Sequence, residues 1–359
     1  MNETKVAVTP HHEQPRRPPA GRAPVRRHLP IVAIVIVVVA LLLVVWYTID
    51  VLVLVFTGIL LAVFLRGLSD ILSRHTPLGG QSSLLVVVIM LLGIVGWGIW
   101  LLAPQLSTQI GQLTETLPRA IQSLEQRLLQ HGIGRWLLAQ TPSLSQVVSE
   151  GNWLSRIARV FSTTFGVLAS LVVILAVGLY MAISPRSYTE GVVRLVPIAN
   201  RRRAREVVQA VGQTLRWWLL GRWVSMAVVG LLTAVGLWVL GVPLALTFGL
   251  LAAVLTFVPY LGPILSAIPP VIVVLTQQPE QAIYVILLYV GIQGLESYLV
   301  TPLVQERTIS MPPALILTAQ LVMGVLLGGM GVVLATPIVA VMMVLVNTLY
   351  VQDTLGDRT

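Results

Sequence analysis

Leu244–Thr276 reads LALTFGLLAAVLTFVPYLGPILSAIPPVIVVLT, and Ala314–Val346 reads ALILTAQLVMGVLLGGMGVVLATPIVAVMMVLV. Each is a 33-residue apolar block without a charged side chain. As one α-helix either block would run ~50 Å, too long for a single crossing of a ~30 Å hydrocarbon core, and each half is only ~25 Å. The first block is interrupted by Pro259-Tyr260-Leu261-Gly262-Pro263 and again by Pro269-Pro270, the second by Gly328-Gly329-Met330-Gly331. Each is therefore expected to form a pair of short helices or a re-entrant hairpin, with a conventional span at Ala282–Val300 between them. Irregular backbone at membrane depth persists only where protein or a water-filled cavity surrounds it. Two interrupted blocks in one half of a chain consequently point to a translocation site. The alternative is that prolines kink and glycines pack helices, which for Gly324-x-x-x-Gly328 alone is the simpler explanation.

The rest of the chain shares this character. Of 359 residues, 56% are hydrophobic and 10% charged, with a mean hydropathy of +0.88. Soluble domains carry about 25% charged residues. The fold class is an all-α, polytopic α-helical membrane protein with about six full spans plus the two broken or re-entrant C-terminal blocks. The net charge of +9 is concentrated in residues 1–30 (+4) and 184–222 (+6). Basic charge beside apolar spans holds those flanks on the cytoplasmic side, so no nucleic-acid partner is expected and both termini are placed in the cytoplasm.

Residues 1–29 form a Pro/Arg-rich basic tail, expected to be disordered. Residues 30–103 hold the first three transmembrane spans, the first two as a hairpin within Ile31–Leu65 that turns at Asp50. Residues 104–160 carry Leu106, Ile110, Leu113, Leu117, Ile121, Leu124 and Leu128 at helical spacing. That region is external by span parity, either packing on itself or the membrane surface or forming a collar at an oligomer axis. A fourth span at 161–183 leads to the basic cytoplasmic segment 184–222, where Arg201, Arg202, Arg203 and Arg205 read as anchors for anionic lipid. Residues 223–350 are the transport region, opening with a fifth span at Trp223–Leu240, and 351–359 are a cytoplasmic tail.

Enzyme chemistry finds little footing. The chain has no cysteine, its only lysine is Lys5, and His11, His12, His28, His75 and His131 all fall outside the apolar spans. Thiolate catalysis, a Walker-A loop and a buried histidine pair are therefore excluded, and no cofactor or metal is expected. Glu296 is the one carboxylate well inside an apolar run. A charge at that depth costs ~2.5–3.5 kcal/mol or more and should face protein or a cavity. It suits a proton-coupling or cation-binding group, or else a structural glutamate capped by Ser297, Tyr298 or Arg307. The candidate substrate or ion pathway is Pro259, Gly262, Pro263, Glu296, Pro302, Gly328 and Gly331.

Phe257-Val258-Pro259-Tyr260-Leu261-Gly262-Pro263 followed by Ile268-Pro269-Pro270 resembles the signature of the autoinducer-2 exporter family of bacterial permeases. Glu296-Ser297-Tyr298-Leu299-Val300-Thr301-Pro302-Leu303-Val304 looks like its glutamate-to-proline segment, and Gly324 to Gly331 with Leu334-Ala335-Thr336-Pro337 like its glycine-rich block. The resemblance spans about residues 30–350. Met311-Pro312-Pro313 departs from the His-Pro pair common in that family, so no role of that histidine transfers here. The resemblance implies a multi-spanning, homo-oligomeric permease of the bacterial inner membrane, with relatives linked to autoinducer-2 export or to sodium–proton antiport. Partners are then the lipid bilayer and a small polar solute or monovalent cation. The expected function is export of a small polar solute by secondary transport, without enzyme activity. A monovalent cation/proton antiporter is the nearest alternative, and a membrane scaffold recruiting partners is the alternative of another class.

Overall fold

The computed structural model describes residues 29–129, 164–300, 302 and 311–356. The basic tail before Leu29, the end of the amphipathic region at 130–163, and Arg307 lie outside the described residues. Two units form, Met1–Leu52 and Val53–Thr359. The first is helical from Leu29 onward; the candidate site lies in the second.

Helix α1, Leu29–His75, corrects the hairpin expected in Ile31–Leu65, because the chain passes Asp50 without turning. No proline or glycine lies between Pro30 and Gly58, so nothing there interrupts the main-chain ladder. Helix α2, Gly80–Leu129, supplies a span at Gly80–Trp100 and continues into the amphipathic segment as one rod. Helix α3, Thr164–Ile183, leads to α4, Pro185–Arg194, across an 89° bend. Pro185 has no N–H with which to extend α3, and α4 leaves the span direction at that point. Helix α5 runs Arg201–Val239 without a break, so the basic segment and the fifth span share a single rod.

The end of α5 is a Schellman motif. Gly241 takes φ 71°, Gly241 N–H donates to Trp238 O at 2.9 Å, and Val242 N–H to Leu237 O at 2.9 Å. Val242 and Leu237 then join one buried cluster with Phe248, Val273 and Val285. Helix α6, Ala245–Leu255, is only ~16 Å long and cannot cross the bilayer. It is followed by a break and by α7, Leu261–Gln277. Helix α8, Pro279–Leu295, continues as a π-turn over Glu296–Val300. Helix α9, Pro313–Leu345, changes direction at Gly328 and ends in a π-turn over Val346–Gln352.

By length and composition Thr48–His75, Gly80–Trp100, Ile198–Val239, Pro279–Leu299 and Pro313–Gln352 could each span, and the bent α3–α4 pair makes six, although Pro313–Gln352 reaches that length only as two legs joined at Gly328. With no strand among the described residues, this is a polytopic helical membrane protein. Only 17% of the Gly80–Trp100 window is buried against 44% of that in Pro313–Gln352, which makes α2 peripheral and α9 central. Leu334 of α9 packs among Leu60 and Phe64 of α1 and Leu215, Trp218 and Leu219 of α5. Phe64 also stacks on Trp223 at 4.9 Å between ring centroids.

Of the two interruptions expected in the first block, one is absent. Pro269 and Pro270 lie inside α7, which continues through them. Pro270 leaves the carbonyl of Ser266 without its helical donor, and the Tyr289 hydroxyl of α8 donates to that oxygen at 3.2 Å. A neighbouring helix thus repairs the ladder that the proline opened.

Candidate functional site

The first break begins where Thr256 Oγ donates back to Ala252 O at 2.6 Å. Val258 N–H then bonds Leu255 O at 2.9 Å, and Leu261 N–H bonds Pro259 O at 2.7 Å. The last bond closes a three-residue γ-turn around Tyr260, which takes φ 64°, ψ −54°. A left-handed centre of this kind is strained for a bulky residue. Gly262 is what lets α7 start so soon after α6 ends, because a Cβ there would run into the carbonyl oxygen of Leu255. Pro263 lacks the N–H that a helix would direct at Pro259 O. The side chain of Gln320 in α9 donates to that oxygen instead, Nε2 to O 3.0 Å.

The second break is made by Gly328 at φ 63°, ψ −147°, a region essentially restricted to glycine. The two legs of α9 fold against each other so closely that a Cβ on Gly331 would meet Met323 O and one on Gly324 would lie 2.9 Å from Val332 Cγ2. Both apolar blocks are thus helical hairpins, and the Gln320–Pro259 bond joins them.

Glu296 sits at the C-terminus of α8, where the π-turn widens the helix. Its side chain is 11% exposed and lies 3.5 Å from Arg222 Nη1, whose side chain is 13% exposed. Ser225 Oγ donates to Glu296 Oε1 at 3.2 Å and Gln293 Nε2 to Oε2 at 3.1 Å, so both carboxylate oxygens are occupied. Arg222 and Ser225 are three residues apart on α5 and therefore project from one face. Tyr260, at the turn of the first hairpin, lies within electrostatic range of Arg222. Trp218, one turn earlier on α5, meets Phe257 edge-on at 5.7 Å. The first break, Leu334 of α9 and the Glu296 pair therefore meet along one stretch of α5.

The structure brings Pro259, Gly262, Pro263 and Glu296 into this neighbourhood. Gly331 is buried within the α9 hairpin, while Gly328 at its tip and Pro302 are exposed. Glu296 is paired with Arg222, Ser225 and Gln293 rather than capped by Ser297 or Tyr298. Sequence reasoning missed Arg222, Ser225 and Gln320. Arg222 was hidden among the positive-inside charges, and its position one residue before the apolar run Trp223–Leu240 was the signal available. Gln320 was equally visible as the single amide in an otherwise apolar block.

The four arginines divide. Arg201 turns back onto Val196 O (3.2 Å) and Arg194 O (3.3 Å). Arg203 clamps the C-terminal π-turn through Asp353 (2.9 Å), Thr348 O (3.1 Å) and Gln352 Oε1 (3.2 Å), and also holds Glu206 at 3.0 Å. Arg202 and Arg205 are exposed, Arg202 with Glu206 at 3.4 Å.

A family profile described as AI-2E family transporter matches residues 35–350. The Bacillus subtilis (strain 168) protein YrrI is 26% identical over 276 residues, covering 73% of this chain and 76% of YrrI. YueF of the same organism is 25% identical over 272 residues, covering 72% and 74%. AI-2 transport protein TqsA of Escherichia coli (strain K12) is 24% identical over 291 residues, covering 78% and 81%. With the profile spanning nearly the whole chain and the two hairpins in place, the protein belongs to the AI-2E transporter family, and it is a membrane permease.

Proposed function

We propose that this permease exports a small polar solute by secondary transport across a bacterial inner membrane, with autoinducer-2 as the first substrate to test. One observation carries the reading: the charged pair Glu296–Arg222 is buried beside two broken helical hairpins that are joined through Gln320 and Pro259. Such a pair persists away from water only if its environment compensates it. Protonating Glu296 would release Arg222, giving a two-state element that a proton can bias. The choice of autoinducer-2 is supported by the AI-2 transport protein TqsA, which aligns over 78% of this chain. The proposal includes a homo-oligomeric assembly and no enzymatic step.

The basic start of α5 and the C-terminal π-turn, tied together by Arg203, are assigned to the cytoplasmic side by the positive-inside rule. Arg202 and Arg205 remain the lipid-facing members of the arginine run.

A monovalent cation/proton antiporter is the second reading, favoured by the same carboxylate. Purified protein in liposomes separates the two. Autoinducer-2 flux that responds to an imposed proton gradient supports export. Proton movement driven by sodium or lithium, without solute flux, replaces it with antiport.

A further inference from the structure

Four buried side-chain atoms among the described residues lack a hydrogen-bond partner: Arg216 Nε, Thr233 Oγ, Gln320 Oε1 and Thr336 Oγ. Two of them belong to the α9 hairpin. The contact of Gly324 with Val332 fixes its register. One helical turn further from the tip on each leg, that register places Gln320 and Thr336 at the same level of the hairpin. Each residue is 1% exposed. Gln320 is held in place because Nε2 is committed to Pro259 O. Its carbonyl oxygen has no partner, and that atom accepts but cannot donate. The Thr336 hydroxyl can do both and is bonded to no carbonyl of its own helix. Pro313–Leu345 itself contributes no charged side chain to the locus.

Folded proteins rarely leave a buried acceptor and a buried hydroxyl both unused. We propose that Gln320 Oε1 and Thr336 Oγ form a subsite for one hydroxyl group of a neutral, hydroxyl-bearing solute, at the seam of the two hairpins. The solute O–H donates to Gln320, and its oxygen accepts from Thr336. The backbone of the first break forms the adjoining wall through Pro259. The subsite rests on the permease reading and adds to it the residues that select for hydroxyl groups.

Thr336→Val is the test, since it keeps the shape and removes the hydroxyl, with Thr336→Ser as the variant that restores it. In ligand-free detergent, Thr336→Val should melt at or above the wild-type temperature, because the fold does not use this hydroxyl. In liposomes with radiolabelled autoinducer-2, its half-saturation concentration should rise about ten-fold, the loss of one hydrogen bond, and Thr336→Ser should stay within about two-fold. A clear fall in melting temperature would mean a hydroxyl, or a trapped water, that serves the structure, and this overturns the proposal. So does an unchanged half-saturation. If the wild type carries no autoinducer-2, the substrate assignment above fails independently. The subsite is then read from thermal shifts with erythritol, xylitol and ribose at matched osmolality. Stabilisation of the wild type that Thr336→Val loses supports it; no stabilisation of the wild type overturns it.

Discussion

The pair Glu296–Arg222 can be separated into a structural and a coupling role by a double-mutant cycle. At 3.5 Å and an effective dielectric of about 20, the Coulomb attraction between unit charges is ~5 kcal/mol. Desolvation of both groups offsets much of this, so the pair need not be better than an apolar isostere. Removing one partner is different, because it leaves a buried charge uncompensated, at ~3–5 kcal/mol. Glu296→Gln retains an acceptor for Ser225 but strands Arg222, and Arg222→Met strands the carboxylate. Each single variant should lose about 3–5 kcal/mol of unfolding free energy, measured by steric trapping in bicelles. The combination Arg222→Met with Glu296→Gln should recover at least about half of the summed loss. It should nevertheless lack the pH dependence of flux, since the group proposed to couple the proton is gone. Single-variant losses below about 0.5 kcal/mol that simply add would mean a solvated pair, and the burial argument would be wrong. Normal pH-dependent flux in the double variant would remove Glu296 from coupling.

Gly262→Ala should fail to assemble or fold, because its methyl group would overlap the Leu255 carbonyl; size-exclusion recovery after detergent extraction reads this directly. Gly328→Ala should be milder, since the site is open space and the cost is backbone strain of about 1–3 kcal/mol, visible as a lower melting temperature. Gln109, on the extension of α2, accepts from Thr247 N–H at 3.2 Å and from its hydroxyl at 2.7 Å, capping α6 where Leu244 has no side-chain oxygen to offer. Gln109→Ala should therefore speed amide exchange at 245–248 and cost about 1–3 kcal/mol. Arg203→Ala should release the segment 346–356 to proteolysis with little change in melting temperature, because the clamp is solvated and screened by salt.

Hydropathy and interruption made the two broken blocks legible, since 33 apolar residues interrupted by Pro-x-x-Gly-Pro or by Gly-Gly-Met-Gly fit a hairpin or a pair of short helices, and the choice between these came from the structure. Proline alone was a poorer guide. Pro259 and Pro263 break the chain where Gly262 permits a reversal, whereas α7 continues through Pro269 and Pro270, with Tyr289 from another helix donating to the Ser266 carbonyl that Pro270 leaves open. That repair is a tertiary contact and leaves no local sequence trace. Asp50 was misread for a related reason: one carboxylate near aromatic residues suggested an interface, but no residue there disfavours helix. The site itself was half visible. Glu296 stood out as a charge in an apolar run, while Arg222 was masked by seven other arginines between 184 and 222 whose positions the positive-inside rule explains equally well. Pairing across 74 positions of sequence could be recognised only once α5 and α8 were placed side by side.

The absence of cysteine from the natural sequence makes the passage itself testable without background labelling. Single substitutions Thr336→Cys and Gln320→Cys, with Leu195→Cys as an exposed control, would be treated with a membrane-impermeant methanethiosulfonate reagent from each side in turn. A wet route between the hairpins predicts that Thr336→Cys reacts during turnover, from a side that switches with the direction of the proton gradient, and is protected by transported solute. If Thr336→Cys and Gln320→Cys stay inert from both sides while flux proceeds and the control labels fully, the solute travels elsewhere and the two hairpins are only scaffolding.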